Sequence, residues 1–118
     1  MIIYADMVGD LFHAGHVKFL QKAKSLGDTL IVGVNSDKDV ESYKRIPVLT
    51  LKERTEVIQS CKYVDKVISP CPLIITEDFM NKYNIDLVVH AHDKDDKTYD
   101  EMYYETNKLG KFKRFIIQ

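Results

Sequence analysis

Asp10-Leu11-Phe12-His13-Ala14-Gly15-His16 leaves a short apolar run, Met1 to Tyr4, and enters an amphipathic segment ending near Leu26. It reads as a strand, a tight loop and a helix whose first turn carries two imidazoles. A helix N-terminus presents unpaired N–H groups and the positive end of the dipole, and Gly15 there lets an anion approach the backbone. His13 and His16 are three apart, so both face one anion if the helix begins between them. They can donate to phosphate oxygens and to the charge that builds up when phosphorus is attacked. Either histidine alone would more often be a cap or a packed side chain. Together, with glycine between them, they point to chemistry.

Outward from this stretch, short apolar runs alternate with helical patterns. Ile2 to Tyr4 is followed by the helix to Leu26, then by Thr29-Leu30-Ile31-Val32-Gly33-Val34 and by a helix over Leu51 to Lys62. Val64 to Ile68, a helix around Glu77 to Tyr83, Asp86 to His90, a helix near Tyr99 to Leu109, and Phe112 to Ile117 complete the series. Strands alternating with helices at this spacing predict an α/β fold: a single-domain, doubly wound (Rossmann-like) parallel sheet of about five strands with helices on both faces. Ligands are then expected beyond the carboxyl ends of the strands.

The bulk composition sets bounds. A chain of 118 residues is read as one domain, burying roughly two thirds of its unfolded surface. Its 17 basic and 18 acidic residues give a net charge of −1, which gives no support to a nucleic-acid partner beyond small basic pockets. No window approaches about 18 consecutive apolar residues, and Met1 to Asp6 lacks the basic start of a secretion signal. The expectation is a cytoplasmic protein without an integral membrane segment. Cys61 and Cys71 form no C-x-x-C pair, so they read as reduced packing thiols. His90 and His92, two apart on one strand face, supply only two ligands, and no protein-held metal is expected.

Two helices can be read by angle. Counting about 100° per residue from His16, Leu20, Ala23, Phe19 and Leu26 gather on its side, whereas Lys18, Lys22 and Ser25 lie opposite. His16 therefore starts the inward face, as a buried or a pocket residue. Thr50-Leu51-Lys52-Glu53 is a capping box that begins the helix after the second strand. Arg54 is centred on that helix's apolar stripe with Leu51, Val57, Ile58 and Cys61, and Lys62 lies at the stripe's edge. A guanidinium so placed needs a carboxylate, several carbonyls or a bound anion.

The loops after the strands carry the remaining candidates. Ser36 and Asp37 read as a helix cap or as nucleotide contacts. Lys44 and Arg45 place two cations in an irregular stretch. His92 and Asp93 end the Asp86–His90 strand at the expected ligand edge, where Asp93 can hold a cationic or hydroxylic group. Tyr99, Tyr103 and Tyr104 suit helix packing, and they also offer faces to a quaternary ammonium.

His13-Ala14-Gly15-His16 matches the H-x-G-H signature of the nucleotidyltransferase superfamily. The chain resembles its cytidylyltransferases acting on phosphocholine, phosphoethanolamine and glycerol 3-phosphate. The similar stretches also include Leu26-Gly27-Asp28, Val32-Gly33-Val34-Asn35-Ser36-Asp37, Glu53-Arg54, Cys61-Lys62-Tyr63-Val64-Asp65-Lys66-Val67-Ile68 and Ala91-His92-Asp93. The resemblance implies transfer of CMP from CTP, carried with Mg2+, to a phospho-alcohol, with phosphocholine or phosphoethanolamine favoured and pyrophosphate released. It implies that His13 and His16 stabilise the transition state, Lys44 neutralises phosphate charge, and Arg54 and Lys62 grip phosphates. Asp10 would orient the site and Asp93 would lie near the acceptor, within a homodimer.

Three departures accompany the likeness. Met7-Val8-Gly9-Asp10 stands where members usually show Gly-x-Phe-Asp, and Lys62 replaces an arginine, losing its bidentate fork. The sequence closes on Phe115-Ile116-Ile117-Gln118, where members continue into an Arg-Thr-x-Gly-x-Ser-Thr segment. The expectation is a nucleotide-binding domain over 1–118 lacking that C-terminal segment. The alternatives are a degenerate, non-catalytic nucleotide-binding or dimerisation module, and an adenylyltransferase.

Overall fold

The computed structural model describes residues 1–92 and 96–115. Side chains alternate across the first strand, β1 (Ile2–Met7): Ile3, Ala5 and Met7 enter one apolar cluster while Tyr4 enters another. A strand apolar on both faces must be covered on both, and that requirement builds the layers. The helices α1 (Ala14–Lys24) and α3 (Leu51–Gln59) supply Leu20, Ala23 and Ile58 to the first cluster. On the opposite face α4 (Glu77–Lys82) supplies Met80, joined by Tyr99, Met102 and Tyr103.

The remaining strands are β2 (Thr29–Asn35), β3 (Lys66–Cys71), β4 (Leu87–Ala91) and β5 (Phe112–Phe115). All pairings are parallel, in the order β3-β2-β1-β4-β5. The chain steps outward from β1 to β3, then returns to the other side of β1 to lay down β4. The carboxyl ends of β1 and β4 therefore diverge at the topological switch point, where open α/β sheets take ligands.

Several boundaries differ from the sequence reading. A short helix α2 (Asp37–Glu41) follows β2, capped by Ser36, whose Oγ accepts from the Asp39 N–H. Helix α3 stops at Gln59 rather than Lys62, and β3 begins at Lys66 rather than Val64. Asp65 is fixed in the intervening turn by accepting from the Leu30 N–H at 2.8 Å and pairing with Lys24. The helix expected from Tyr99 to Leu109 is two pieces, a 3-10 turn (Lys97–Tyr99) and α5 (Tyr104–Lys108). Between them the Met102 carbonyl accepts from the Ile75 N–H, a bond that takes it out of any helical ladder. Val57, expected on the apolar stripe, is 38% exposed.

Gly33 on β2 marks where the layers are tightest. A Cβ there would collide with the Tyr4 hydroxyl and lie 2.8 Å from Cys71 Cβ. Gly33→Ala is expected to destabilise the domain by about 3 kcal/mol through overpacking. A lower urea midpoint at unchanged slope would show it, and an unchanged midpoint would mean that Tyr4 moves aside freely.

Candidate functional site

At the switch point a cavity of about 640 Å³ opens between the ends of β1 and β4 and the start of α1. Such a volume suits a small charged ligand. Its histidine wall is built by helix capping. His13 is the N-cap of α1, and its Nδ1 accepts from the Gly15 N–H at 3.0 Å. His16 reaches back, its Nδ1 accepting from the His13 N–H at 3.0 Å. Each Nδ1 is thus an acceptor, so each neutral ring carries its proton on Nε2. Two Nε2–H donors result without any need for protonation. The rings lie 4.2 Å apart, and Phe12 stacks on His16 at 5.1 Å. Burial, and then the charge of His13, lowers the His16 pKa below the ordinary histidine value, so His16 is neutral at pH 7. A glycine is required at position 15, because a Cβ would come within 2.7 Å of the His13 ring.

Around the mouth stand Lys18, Lys22, Lys44 and Arg45. The Lys44 ammonium lies 5.6 Å from the Tyr43 ring centre and 5.9 Å from that of Tyr99. Asp10 also lines the cavity, and its carboxylate accepts from the Val48 and Leu49 N–H groups, both at 2.9 Å. Burial pushes its pKa up, but these backbone bonds and the nearby Arg54 and Arg45 outweigh that and hold it below the usual range. Asp10 therefore pins the loop after Pro47 beside the first helix.

The floor is acidic. Asp6, 3% exposed, accepts from the Tyr103 hydroxyl at 2.6 Å and contacts His90 Nδ1 at 3.1 Å. Burial, reinforced by Asp6, raises the Tyr103 pKa well above its ordinary value, so that hydroxyl remains a donor. Tyr43 and His90 complete this end. None of Asp6, Tyr43 or His90 was singled out for the main site from sequence. The available signal was the carboxylate of Asp6, which interrupts an apolar stretch at a strand's carboxyl end.

The cavity gathers His13, His16, Lys44, Arg45, Asp10 and Gly15 from among the sequence candidates. It does not gather the others, and the reading of Arg54 as a phosphate ligand is corrected. Arg54 is 0% exposed and donates to the carbonyls of Leu49, Val8 and Asn35 and to the carboxylate of Asp37 at 2.5 Å. Its fork is filled by protein, so it holds the loops under the cavity and does not face into it. Asp37 is thereby an ion-pair partner and Ser36 a cap, and neither lines the cavity. Lys62 is exposed, with its ammonium 5.1 Å from the Tyr63 ring centre. It lies past the end of α3, where the angular extrapolation no longer holds. His92 is 6% exposed and belongs to a second cavity with Tyr99, Tyr103 and Phe112. Its Nδ1 has no partner among the described residues, and burial, then His90, lowers its pKa. Asp93 lies outside the described residues.

An all-parallel sheet with a histidine-capped helix and a cation-rimmed cavity at its switch point defines a Rossmann-like α/β domain suited to an anionic ligand. The chain belongs to the cytidylyltransferase-like family, whose profile matches residues 9–118. It is 40% identical over 119 residues to an ethanolamine-phosphate cytidylyltransferase of Arabidopsis thaliana, covering 95% of this chain and 28% of that protein. To a choline-phosphate cytidylyltransferase of Saccharomyces cerevisiae it is 42% identical, covering 93% of this chain and 27% of that protein. The chain thus spans a little over a quarter of these relatives. The crystal structure of the lipopolysaccharide core biosynthesis protein from Thermoplasma volcanium superposes with a TM-score of 0.78 at 27% identity, covering 100% of this chain and 96% of that one.

Proposed function

We propose that this chain transfers CMP from CTP to a phospho-amino-alcohol, giving a CDP-alcohol and pyrophosphate. The observation that carries the reading is the polarity of one cavity, with imidazole donors and cations at its wall and mouth and the carboxylate of Asp6 at its floor. A zwitterion with a phosphate at one end and an ammonium at the other matches that polarity, whereas glycerol 3-phosphate offers the floor no cation. The names of the relatives, which specify ethanolamine-phosphate and choline-phosphate, support the same class.

In the proposed reaction an acceptor phosphate oxygen attacks the α-phosphorus. The new P–O bond forms as the bond to the β-phosphate oxygen breaks, and pyrophosphate departs with the electron pair. The Nε2–H groups of His13 and His16 donate to the charge gathering on the phosphoryl oxygens, while Lys44, Lys18 and Arg45 offset the charge of the triphosphate. Mg2+ arrives on CTP as part of the substrate. Alignment and fixed positive charge suffice for such a transfer without a covalent intermediate.

A cytoplasmic homodimer accompanies this reading, with Leu11, Ile46 and Val48 as exposed apolar side chains for a partner copy to cover. Among the described residues no helix is long and apolar enough to cross a membrane.

The test is pyrophosphate release with CTP and Mg2+ and, in turn, phosphoethanolamine, phosphocholine and glycerol 3-phosphate, with ATP replacing CTP as control. Release with CTP and a phospho-amino-alcohol is expected. Calorimetric CTP binding without turnover under any acceptor would instead identify a non-catalytic module, and turnover with ATP alone an adenylyltransferase.

A further inference from the structure

Two lysines from different elements converge on one aromatic ring. Phe115, at the carboxyl end of β5, is 6% exposed and joins the apolar cluster on the α1 face of the sheet. Its ring meets that of Phe19 edge-on at 5.5 Å. The Lys22 ammonium stands 4.6 Å from the Phe115 ring centre, and that of Lys113 stands 5.8 Å from it. At about 100° per residue Lys22 lies about 60° beyond Phe19 on α1, so a lysine counted as outward reaches the flank that meets β5. Lys22, Phe19 and Phe115 all line the main cavity.

This wall carries positive charge with no negative charge to match it. Among the described residues neither Lys22 nor Lys113 has an ion-pair partner, although Lys24, half a turn further along α1, is paired with Asp65 at 2.5 Å. Asp6 and Asp10 are the carboxylates that line the cavity among the described residues, and both are committed elsewhere. Asp6 accepts from Tyr103 on the other face of the sheet, and Asp10 accepts from the Val48 and Leu49 N–H groups. Two ammonium groups brought to one ring repel each other, and a ring face offsets little of that at an exposed site. A bound phosphate removes the repulsion, since each ammonium then gains a charge-assisted hydrogen bond.

From this juxtaposition we infer that Lys22, backed by Lys113, binds the terminal phosphates of CTP and so selects a nucleoside triphosphate over shorter nucleotides. The inference rests on the transferase reading above. In an in-line displacement the leaving oxygen lies opposite the attacking one. The acceptor in that reading sits toward Asp6, on the face that carries Tyr103, so the departing pyrophosphate points to the α1 face, along which His16, Lys18 and Lys22 follow one another. At about 1.5 Å of rise per residue Lys22 stands roughly 9 Å from His16 along the helix axis. The β- and γ-phosphates and the four-carbon lysine stem together bridge that gap, and the flexible ammonium grips phosphate as a point charge.

The test measures dissociation constants for CTP, CDP and CMP by calorimetry with Mg2+ in the unaltered protein and in Lys22→Gln, Lys22→Arg and Lys113→Gln. Lys82→Gln, on α4 at the opposite face, controls for the change in net charge. Lys22 is exposed, so its substitutions leave the fold intact, which a melting curve checks. Lys22→Gln is expected to weaken CTP about tenfold, the scale of one charge-assisted hydrogen bond, and CMP less than about twofold. Lys113→Gln weakens CTP about threefold, Lys22→Arg keeps most of the affinity, and Lys82→Gln changes none of the three nucleotides. In turnover the loss in Lys22→Gln falls on the KM for CTP and not on kcat, and added pyrophosphate inhibits that variant less. Equal weakening of all three nucleotides in Lys22→Gln shows a lysine that only packs Phe115 and overturns the inference, as does unchanged CTP affinity. In both cases CTP turnover by the unaltered protein leaves the transferase reading standing. If the unaltered protein binds no CTP, both fall.

Discussion

His16→Ala is expected to lower kcat for pyrophosphate release by 10²- to 10³-fold, the usual consequence of removing one preorganised donor to developing charge. The Nε2–H of His16 is fixed by the backbone, because its Nδ1 is committed to the His13 N–H. Alanine removes the donor and also opens the capping box that holds His13 in place. The KM for CTP should change much less than kcat if the bond strengthens only as charge develops. The pH dependence follows from the same geometry. Burial lowers the His16 pKa below the ordinary histidine value, so the ring protonates at lower pH than a free imidazole does. Activity should therefore hold near neutrality and fall on the acid side below the ordinary histidine value, as protonated Nδ1 gives up its bond to His13. The stability contribution has the same sense. With the folded pKa depressed, it is fully present above about pH 6.5 and is lost as pH falls through the folded value. Equal loss of kcat and CTP affinity in His16→Ala would show a cap and not a transition-state donor.

Arg54→Leu is expected to cost about 3–5 kcal/mol of stability, because each buried carbonyl left without its donor costs about 1–3 kcal/mol. Three carbonyls and the Asp37 carboxylate lose their donor together. Against a total of about 5–15 kcal/mol for an ordinary domain, that is a large share. The melting temperature should drop on the order of 10 °C or more. Arg54→Lys should recover little, since an ammonium cannot span four acceptors placed for a fork. Asp37→Asn should cost much less, because the Asp37 side chain is 47% exposed and water screens it. Differential scanning fluorimetry on the three variants checks the order. A melting temperature unmoved in Arg54→Leu, with CTP affinity lost, would return Arg54 to the role of ligand.

Arg54 also shows how far a sequence carries a site. Angular position placed a guanidinium on an apolar stripe and demanded acceptors for it, and the burial is as expected. Periodicity could not say which acceptors. The Leu49 carbonyl is local, but those of residues 8 and 35 are distant in sequence, and only tertiary packing brings all three to one point. Lys62 fails for the opposite reason. Its angle was counted along a helix that ends three residues earlier.

His13, Gly15 and His16 were legible because their geometry is local. Two imidazoles spaced three apart across a helix start bond the backbone of the same turn, wherever that turn sits in the fold. The parallel sheet was legible on similar grounds, since short apolar runs alternating with helices leave few ways to cover both faces. The acidic floor was not. Asp6, His90 and Tyr103 come from β1, β4 and the segment before α5, and no spacing in the chain announces their meeting.

What the sequence by itself determined is therefore the set of elements, their alternation and the capped helix that presents two donors, because hydrophobic periodicity and capping act within a few residues. The tertiary structure alone decided which charges face the cavity and which are spent on one another. That choice depends on which strand ends become neighbours when β4 crosses to the far side of β1, and it is settled by burial, where an unpaired charge costs most.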